Sequence, residues 1–150
     1  GSISIDSDYI FVQCVGQSGD AKWEHGIGAL KDVTIISDDA TIAGSYGIES
    51  ATGNISLTGT FWIGGTANAV VAHEGTITMT GAVTAQGGDR YYTIYAKGDI
   101  SFDGIKLDVN GDAGIRSSEG DVTINGTFII NEYLVLIDHL KINMRRYYII

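Results

Sequence analysis

The sequence predicts an all-β fold, a single-stranded right-handed parallel β-helix (β-solenoid) of about six coils, each of about 22 residues. A Gly-x-[Ile/Val]-x-apolar motif begins at Gly53, Gly75, Gly98 and Gly120, at intervals of 22, 23 and 22 residues. Apolar and polar residues alternate within each copy, which is typical of a strand with one buried face. Strands that recur at a constant interval form parallel sheets, and crossovers between parallel strands are almost always right-handed.

Three recurring sets of apolar residues predict three short strands in each coil. The first set belongs to the motif itself. The second precedes the motif glycine by about five residues and contains Ile27, Ile48, Val70, Ile94, Ile115 and Val135. The third lies between them and contains Phe61 with Ile63, Val83 with Ala85, Leu107 with Val109, and Phe128 with Ile130. The segment Ile105 to Val109 is one residue out of step, so we expect a β-bulge or a shifted bend there.

Two other repeat or strand architectures fit less well. A leucine-rich repeat has a similar period, but it requires an L-x-x-L-x-L spacing that this chain lacks. An antiparallel sandwich also has short strands at regular spacing. However, a sandwich does not require a glycine and two inward-facing residues to recur at the same positions in four consecutive repeats, as they do here.

Composition limits the class of protein and its partners. The 150 residues are 44% apolar, which is enough for one substantial core, so we expect a single domain over residues 1–150. A net charge of −9 repels phosphate backbones and argues against nucleic acid as a partner. No apolar run approaches the length of a membrane span. Because Gly1 already lies in frame with the repeat, we expect a piece of a longer polypeptide or self-association through an uncapped solenoid end.

A candidate calcium site lies in the segment from Asp108 to Asp112, at the end of the predicted strand Ile105 to Val109. Asp108, Asn110 and Asp112 place oxygen-bearing side chains at alternate positions, and Glu119 follows seven residues later. This spacing is similar to that of an EF-hand loop, whose hard oxygen ligands suit Ca²⁺. The alternative is an ordinary bend rich in Asp and Asn between two strands.

Candidate ligand-binding residues are exposed aromatics and nearby cations. If Phe61 and Ile63 point inward, Trp62 points outward, and Tyr95 is expected in one outward column with Arg116. Aromatic faces stack on sugar rings, while Arg116 and Lys97 could hold hydroxyls and carboxylates. The alternative is that the tyrosines only cover the edge of a neighbouring coil.

No catalytic constellation is predicted, so we expect the chain not to be an enzyme. His25, His73 and His139 have different offsets from the motif glycine and are expected to lie apart on the surface. A polysaccharide lyase, the enzymatic alternative, needs a groove walled by inserted loops, and most coils are too short to carry such loops.

The segment from Gly111 to Gly126, GDAGIRSSEGDVTING, resembles the repeats of a bacterial family of secreted β-helix carbohydrate-binding proteins. Those repeats run like G-D-G-I-x-[AS]-x-G-x-[IL]-T-I-x-G-G. The resemblance implies a pectate-lyase-like shape, binding of acidic plant polysaccharide without cleavage, and calcium, with Asp112 at the G-D position. We therefore expect an extracellular or cell-surface bacterial module that binds polysaccharide, with a polyuronate as the favoured ligand. A structural stalk or adhesin segment is the alternative.

Overall fold

The computed structural model describes residues 1–14, 24–131 and 140–149, and its strands lie in two parallel sheets. The eight-stranded sheet contains β1 (Ile3–Asp6), β2 (Tyr9–Gln13), β4 (Val33–Gly44), β6 (Ile55–Gly65), β8 (Ile77–Gln86), β10 (Ile100–Asn110), β12 (Val122–Asn131) and β13 (Leu140–Ile149). The five-stranded sheet contains β3 (His25–Ala29), β5 (Tyr46–Ser50), β7 (Val70–Ala72), β9 (Tyr92–Ala96) and β11 (Ala113–Ser117).

The chain alternates between the two sheets, and stacked coils about 22 residues apart form a β-solenoid of about five turns. The predicted fold class is therefore confirmed. The sixth predicted coil extends past Asn131, where Val135 and His139 lie outside the described residues. The right-handed winding stays a prediction.

The core lies between the sheets and consists of apolar files that run along the solenoid. In the larger sheet Ile100 and Phe102 pair with Val122 and Ile124 of the next coil, and all four are at most 1% exposed. The second predicted set is also in register, since Ile48 pairs with Ile27 on one side and with Val70 on the other. The third set follows the same rule along β6, β8, β10 and β12.

The prediction of three short strands per coil was wrong in its boundaries. From β4 onward the first and third predicted strands form one strand of 10 to 12 residues in the larger sheet. Gly59, Gly81 and Gly126 lie within these strands at φ of 126°, 116° and 138°, a backbone conformation that favours glycine. Gly59 and Gly81 remain paired, so the strand bends while its ladder of hydrogen bonds continues.

The expected bulge lies at Ile105. The register of β10 with β8 runs from Gly104 opposite Gly81 to Lys106 opposite Ala82, which leaves Ile105 out of the pairing. Its side chain is 77% exposed. The bulge absorbs the extra residue of this coil and keeps Leu107 in the buried file.

Serine side chains and the motif glycines close the corner between the smaller sheet and the next coil. The Ser117 hydroxyl donates to the Gly98 carbonyl at 2.8 Å and accepts from the Gly120 amide at 2.8 Å. A Cβ on Gly120 would lie 2.4 Å from Oδ1 of Asp99 in the coil below. Gly120 therefore has no room for a side chain, because the two coils approach too closely at this corner.

The sequence predicted no membrane span. Over residues 1–14, 24–131 and 140–149, the structure has no helix that is long and apolar enough to cross a membrane.

Candidate ligand-binding site

Trp62 presents an aromatic face on the outside of the larger sheet. It follows the buried Phe61 on β6 and is 41% exposed. A Cβ on Gly64 would lie 2.7 Å from Cη2 and 3.0 Å from Cζ3 of the indole, so the ring lies against the bare backbone of Gly64. A side chain at residue 64 would displace the ring, and glycine therefore allows it to lie along the sheet.

The indole borders a shallow depression of about 700 Å³, which we call the Trp62 depression. Its lining residues are Gln13, Cys14, Ala43, Gly44, Trp62, Gly64, Gly65, Thr66, Gln86, Gly87, Gly88 and Asp89. They come from β2, β4, β6 and β8 and from the residues that follow these strands. Alanine and glycine recur at or just after the ends of β4, β6 and β8. Because these residues have little or no side chain, the surface is hollow there.

The depression crosses the coils rather than following one strand. Its strands β2, β4, β6 and β8 are consecutive neighbours, and three interstrand spacings amount to about 14 Å. The depression is therefore long enough for an extended ligand that lies along the solenoid axis.

The polar groups of the depression suit hydroxyl groups. Gln13 and Gln86 contribute amides, Thr66 a hydroxyl and Asp89 a carboxylate. An amide both donates and accepts hydrogen bonds, as a sugar hydroxyl does. Among the described lining residues there is one carboxylate and neither Lys nor Arg, so this lining offers no cation to an anionic ligand.

The four predicted ligand-binding residues do not form one surface. Tyr95 and Arg116 are paired neighbours in the predicted column on the smaller sheet, and Lys97 directly follows β9. Trp62 lies on the larger sheet. The prediction grouped these residues by their chemistry. In the structure the chain alternates between two sheets, which places Trp62 on a different face from Tyr95 and Arg116.

The aromatic and cationic side chains of the smaller sheet contact one another. The Arg116 guanidinium lies 5.3 Å from the centroid of the Tyr92 ring, and its Nη1 donates to the Tyr92 hydroxyl at 3.1 Å. Tyr92 and Tyr95 are stacked at 6.4 Å between ring centroids. Lys97 Nζ contacts Glu74 at 2.5 Å, and this hydrogen bond raises the pKa of Lys97. These contacts favour the alternative in which the tyrosines cover neighbouring coils.

Two of the three candidate calcium ligands, Asp108 and Asn110, contact each other at the end of β10, and Asp112 follows two residues later. Asn110 Nδ2 donates to Asp108 Oδ1 at 3.1 Å, and the Lys106 ammonium contacts Asp108 Oδ2 at 2.9 Å. Asp112 accepts a hydrogen bond from the backbone amide of Arg90 at 3.4 Å. Within the described ranges, no group of three or more His, Cys, Asp or Glu side chains is arranged to hold a metal ion. Calcium at Asp108, Asn110 and Asp112 stays a prediction.

The expectation that the histidines lie apart was wrong for His25 and His73. His25 Nδ1 lies 2.6 Å from one carboxylate oxygen of Glu49, and His73 Nε2 lies 2.6 Å from the other. The His25 ring covers Gly28, with Cγ 3.0 Å from where a Cβ would be, and Gly28 pairs with Glu49. The sequence prediction compared only the positions of the histidines relative to the motif glycine. It could not show that the His25 ring lies over Gly28 and so reaches Glu49 on the next strand.

Comparison with known proteins adds no family. No protein-family model, curated protein or solved structure matches this chain. The resemblance to secreted carbohydrate-binding proteins stays a prediction.

Sequence reasoning missed most of the Trp62 depression. The available signal was the recurrence of small pairs after the long strands: Ala43-Gly44, Gly64-Gly65 and Gly87-Gly88. Pairs of small residues on the strands next to an exposed tryptophan indicate a hollow in the surface beside the aromatic ring.

Proposed function

We propose that this chain is a non-catalytic carbohydrate-binding module that binds a glycan in the Trp62 depression, at the surface of a bacterial cell or outside it. The observation that carries the proposal is the exposed indole lying over Gly64, beside a depression lined by amides. The face of an indole stacks on the apolar face of a sugar ring. The amides of Gln13 and Gln86 can exchange hydrogen bonds with the hydroxyls at the ring edge.

Calcium-assisted binding of an acidic polysaccharide is a second candidate. The adjacency of Tyr95 and Arg116 favours it, because a guanidinium can hold a uronate carboxylate. Against it, Lys97 is paired with Glu74, and the chain has a net charge of −9. A bound Ca²⁺ at Asp108, Asn110 and Asp112 could bridge the two anionic partners. A structural stalk or adhesin segment is the alternative from another class, and a lyase is a third.

A glycan array tests the proposal and separates these candidates. The chain and its Trp62→Ala variant are applied with Ca²⁺ and with a chelator. We expect glycan binding that Trp62→Ala abolishes and the chelator leaves unchanged. Binding only to uronates, with loss in the chelator and in Asp112→Ala, would favour the second candidate. Absence of binding to all glycans would favour the stalk, and release of unsaturated products would favour the lyase.

Cys14 provides an independent test at the rim of the depression. It is the only cysteine in the sequence, and it is exposed and lines the depression. Alkylation with a bulky maleimide should therefore block glycan binding in the unsubstituted chain. The Cys14→Ser variant treated with the same reagent is the matched control and should keep its affinity. Full binding by the alkylated chain would contradict this location.

A further inference from the structure

The outward row that contains Trp62 carries a second exposed aromatic residue. Strand pairing places Phe11 beside Thr41, Thr41 beside Trp62, and Trp62 beside Thr84. Phe11 is 59% exposed and Trp62 41% exposed. The two rings therefore lie in one row, on alternate coils, with the short side chain of Thr41 between them.

The spacing of the two rings limits the ligand. Two interstrand spacings place them about 9.6 Å apart along the solenoid axis. That length matches one disaccharide repeat of an extended β-1,4-linked glycan. Successive sugars in such a chain are turned over relative to one another, so the first and third sugars present the same face. Two aromatic residues on one side of a chain are thus matched to sugars that are two positions apart.

Charge further limits the ligand. The lining residues of the depression supply Asp89 and, within the described structure, no cationic side chain. A carboxylate on every sugar would be repelled by Asp89 and by the net charge of −9, and the described lining residues offer no cation to pair with it.

We infer that the ligand is a linear, uncharged β-1,4-linked glycan that lies along the solenoid axis, with alternate sugars stacked on Phe11 and Trp62. This inference rests on the proposed function, because it uses the Trp62 depression as the binding site. It goes further by stating the linkage geometry, the charge and the direction of the ligand. Gln13 lies on the strand of Phe11, and Gln86 lies on the strand that follows Trp62 along the axis. Their amides would hydrogen-bond the sugar on Phe11 and the sugar beyond Trp62.

Calorimetric titration with β-1,4-linked glucose oligomers of two to six sugars tests the inference. We expect affinity to rise most between two and three sugars, since three are needed to reach both rings. Phe11→Ala should remove that rise and weaken binding of the tetrasaccharide roughly tenfold, an effect of about 1.4 kcal/mol, while disaccharide binding stays unchanged. Trp62→Ala should abolish binding of all lengths.

The control variant is Tyr9→Ala. Tyr9 lies on the same strand as Phe11 and is 61% exposed, but it belongs to the neighbouring outward row, so its loss should leave affinity unchanged. Two control ligands are α-1,4-linked glucose oligomers, which curve, and β-1,4-linked glucuronate oligomers, which carry a carboxylate on each sugar. Both should bind at least roughly tenfold more weakly, and the deficit of the glucuronate should shrink as salt screens the charges.

The outcomes separate this inference from the proposed function. If Trp62→Ala abolishes glycan binding while Phe11→Ala changes nothing at any length, the module is a carbohydrate binder but the ligand does not span the two rings. Equal effects of Tyr9→Ala and Phe11→Ala, or equal affinity for the control ligands, would also overturn the inference. Unchanged binding by Trp62→Ala would overturn both.

Discussion

Replacing Phe102 with Ala tests the register of the solenoid core. Phe102 pairs with Met79 in the coil before and with Ile124 in the coil after, and all three are at most 1% exposed. Its ring also packs on Gly126, where a Cβ would lie 3.2 Å from Cε1. The substitution should leave a void that hydrogen-bonded strands on both sides cannot close. We therefore expect a loss in the upper half of the range for Phe→Ala, about 4 to 5 kcal/mol.

Urea unfolding followed by circular dichroism measures this loss, and thermal unfolding gives a second estimate. For chains of this size each kcal/mol shifts Tm by about 2 to 4 °C, so Tm should fall by roughly 8 to 20 °C. The matched control is Ile105→Ala on the same strand, which should cost less than about 0.5 kcal/mol because the side chain is exposed. A loss below about 1 kcal/mol for Phe102→Ala, or equal losses for both variants, would refute the register.

Three further predictions concern the bulge, the bend and the outer face of the smaller sheet. Deleting Ile105 should change the free energy of unfolding by less than about 1 kcal/mol, because Ile105 lies outside the strand pairing. Deleting Leu107 should unfold the coil, because it moves buried residues to the surface. Equal urea midpoints for the two deletions would contradict the bulge. Gly81→Ala should cost more than about 2 kcal/mol, since its φ is 116° and a Cβ would lie 2.1 Å from the Gly59 carbonyl oxygen. In the control Gly98→Ala, the Cβ would lie 3.0 Å from the Thr76 methyl group and 3.2 Å from the Gly75 carbonyl oxygen. These contacts are looser than those at Gly81, so the control should cost clearly less in the same assay. Burial, followed by the charge of Glu49, raises the pKa of Tyr46 above 10.0, so the neutral phenol contributes stability below pH 10.0 that is lost as the pH rises further. Between pH 8 and pH 11, the Tm of Tyr46→Phe should therefore fall less than the Tm of the unsubstituted chain. Equal falls in Tm would count against this explanation.

The sequence predicted the fold well because a solenoid repeats one local rule. A strand in register with its neighbours must carry its inward residues at a constant interval, so apolar files such as Ile55 beside Ile77 are visible as periodicity. The motif glycines were visible for the same reason. The bends were harder to predict, because a glycine at positive φ can turn a strand without ending it, and sequence alone does not separate the two outcomes.

The candidate site was harder to predict than the fold. Sequence alternation correctly placed Trp62 on the outside, but the space beside its ring depends on glycines whose importance appears only when coils are stacked. The partners of Arg116 and Lys97 were also invisible, because a side chain one coil away is more than 20 residues distant in sequence. The Glu49 carboxylate joins His25 and His73 for the same reason.

The central claim is that a glycan binds against Trp62, and the fluorescence of that residue tests it most directly. The chain has two tryptophans, so a Trp23→Phe variant leaves Trp62 as the only one. Titration of this variant with the β-1,4-linked glucose tetrasaccharide should shift the emission to shorter wavelength and saturate, because the sugar removes water from the exposed indole. The affinity should match that from calorimetry. Binding of the tetrasaccharide by calorimetry without any change in Trp62 emission would contradict the claim.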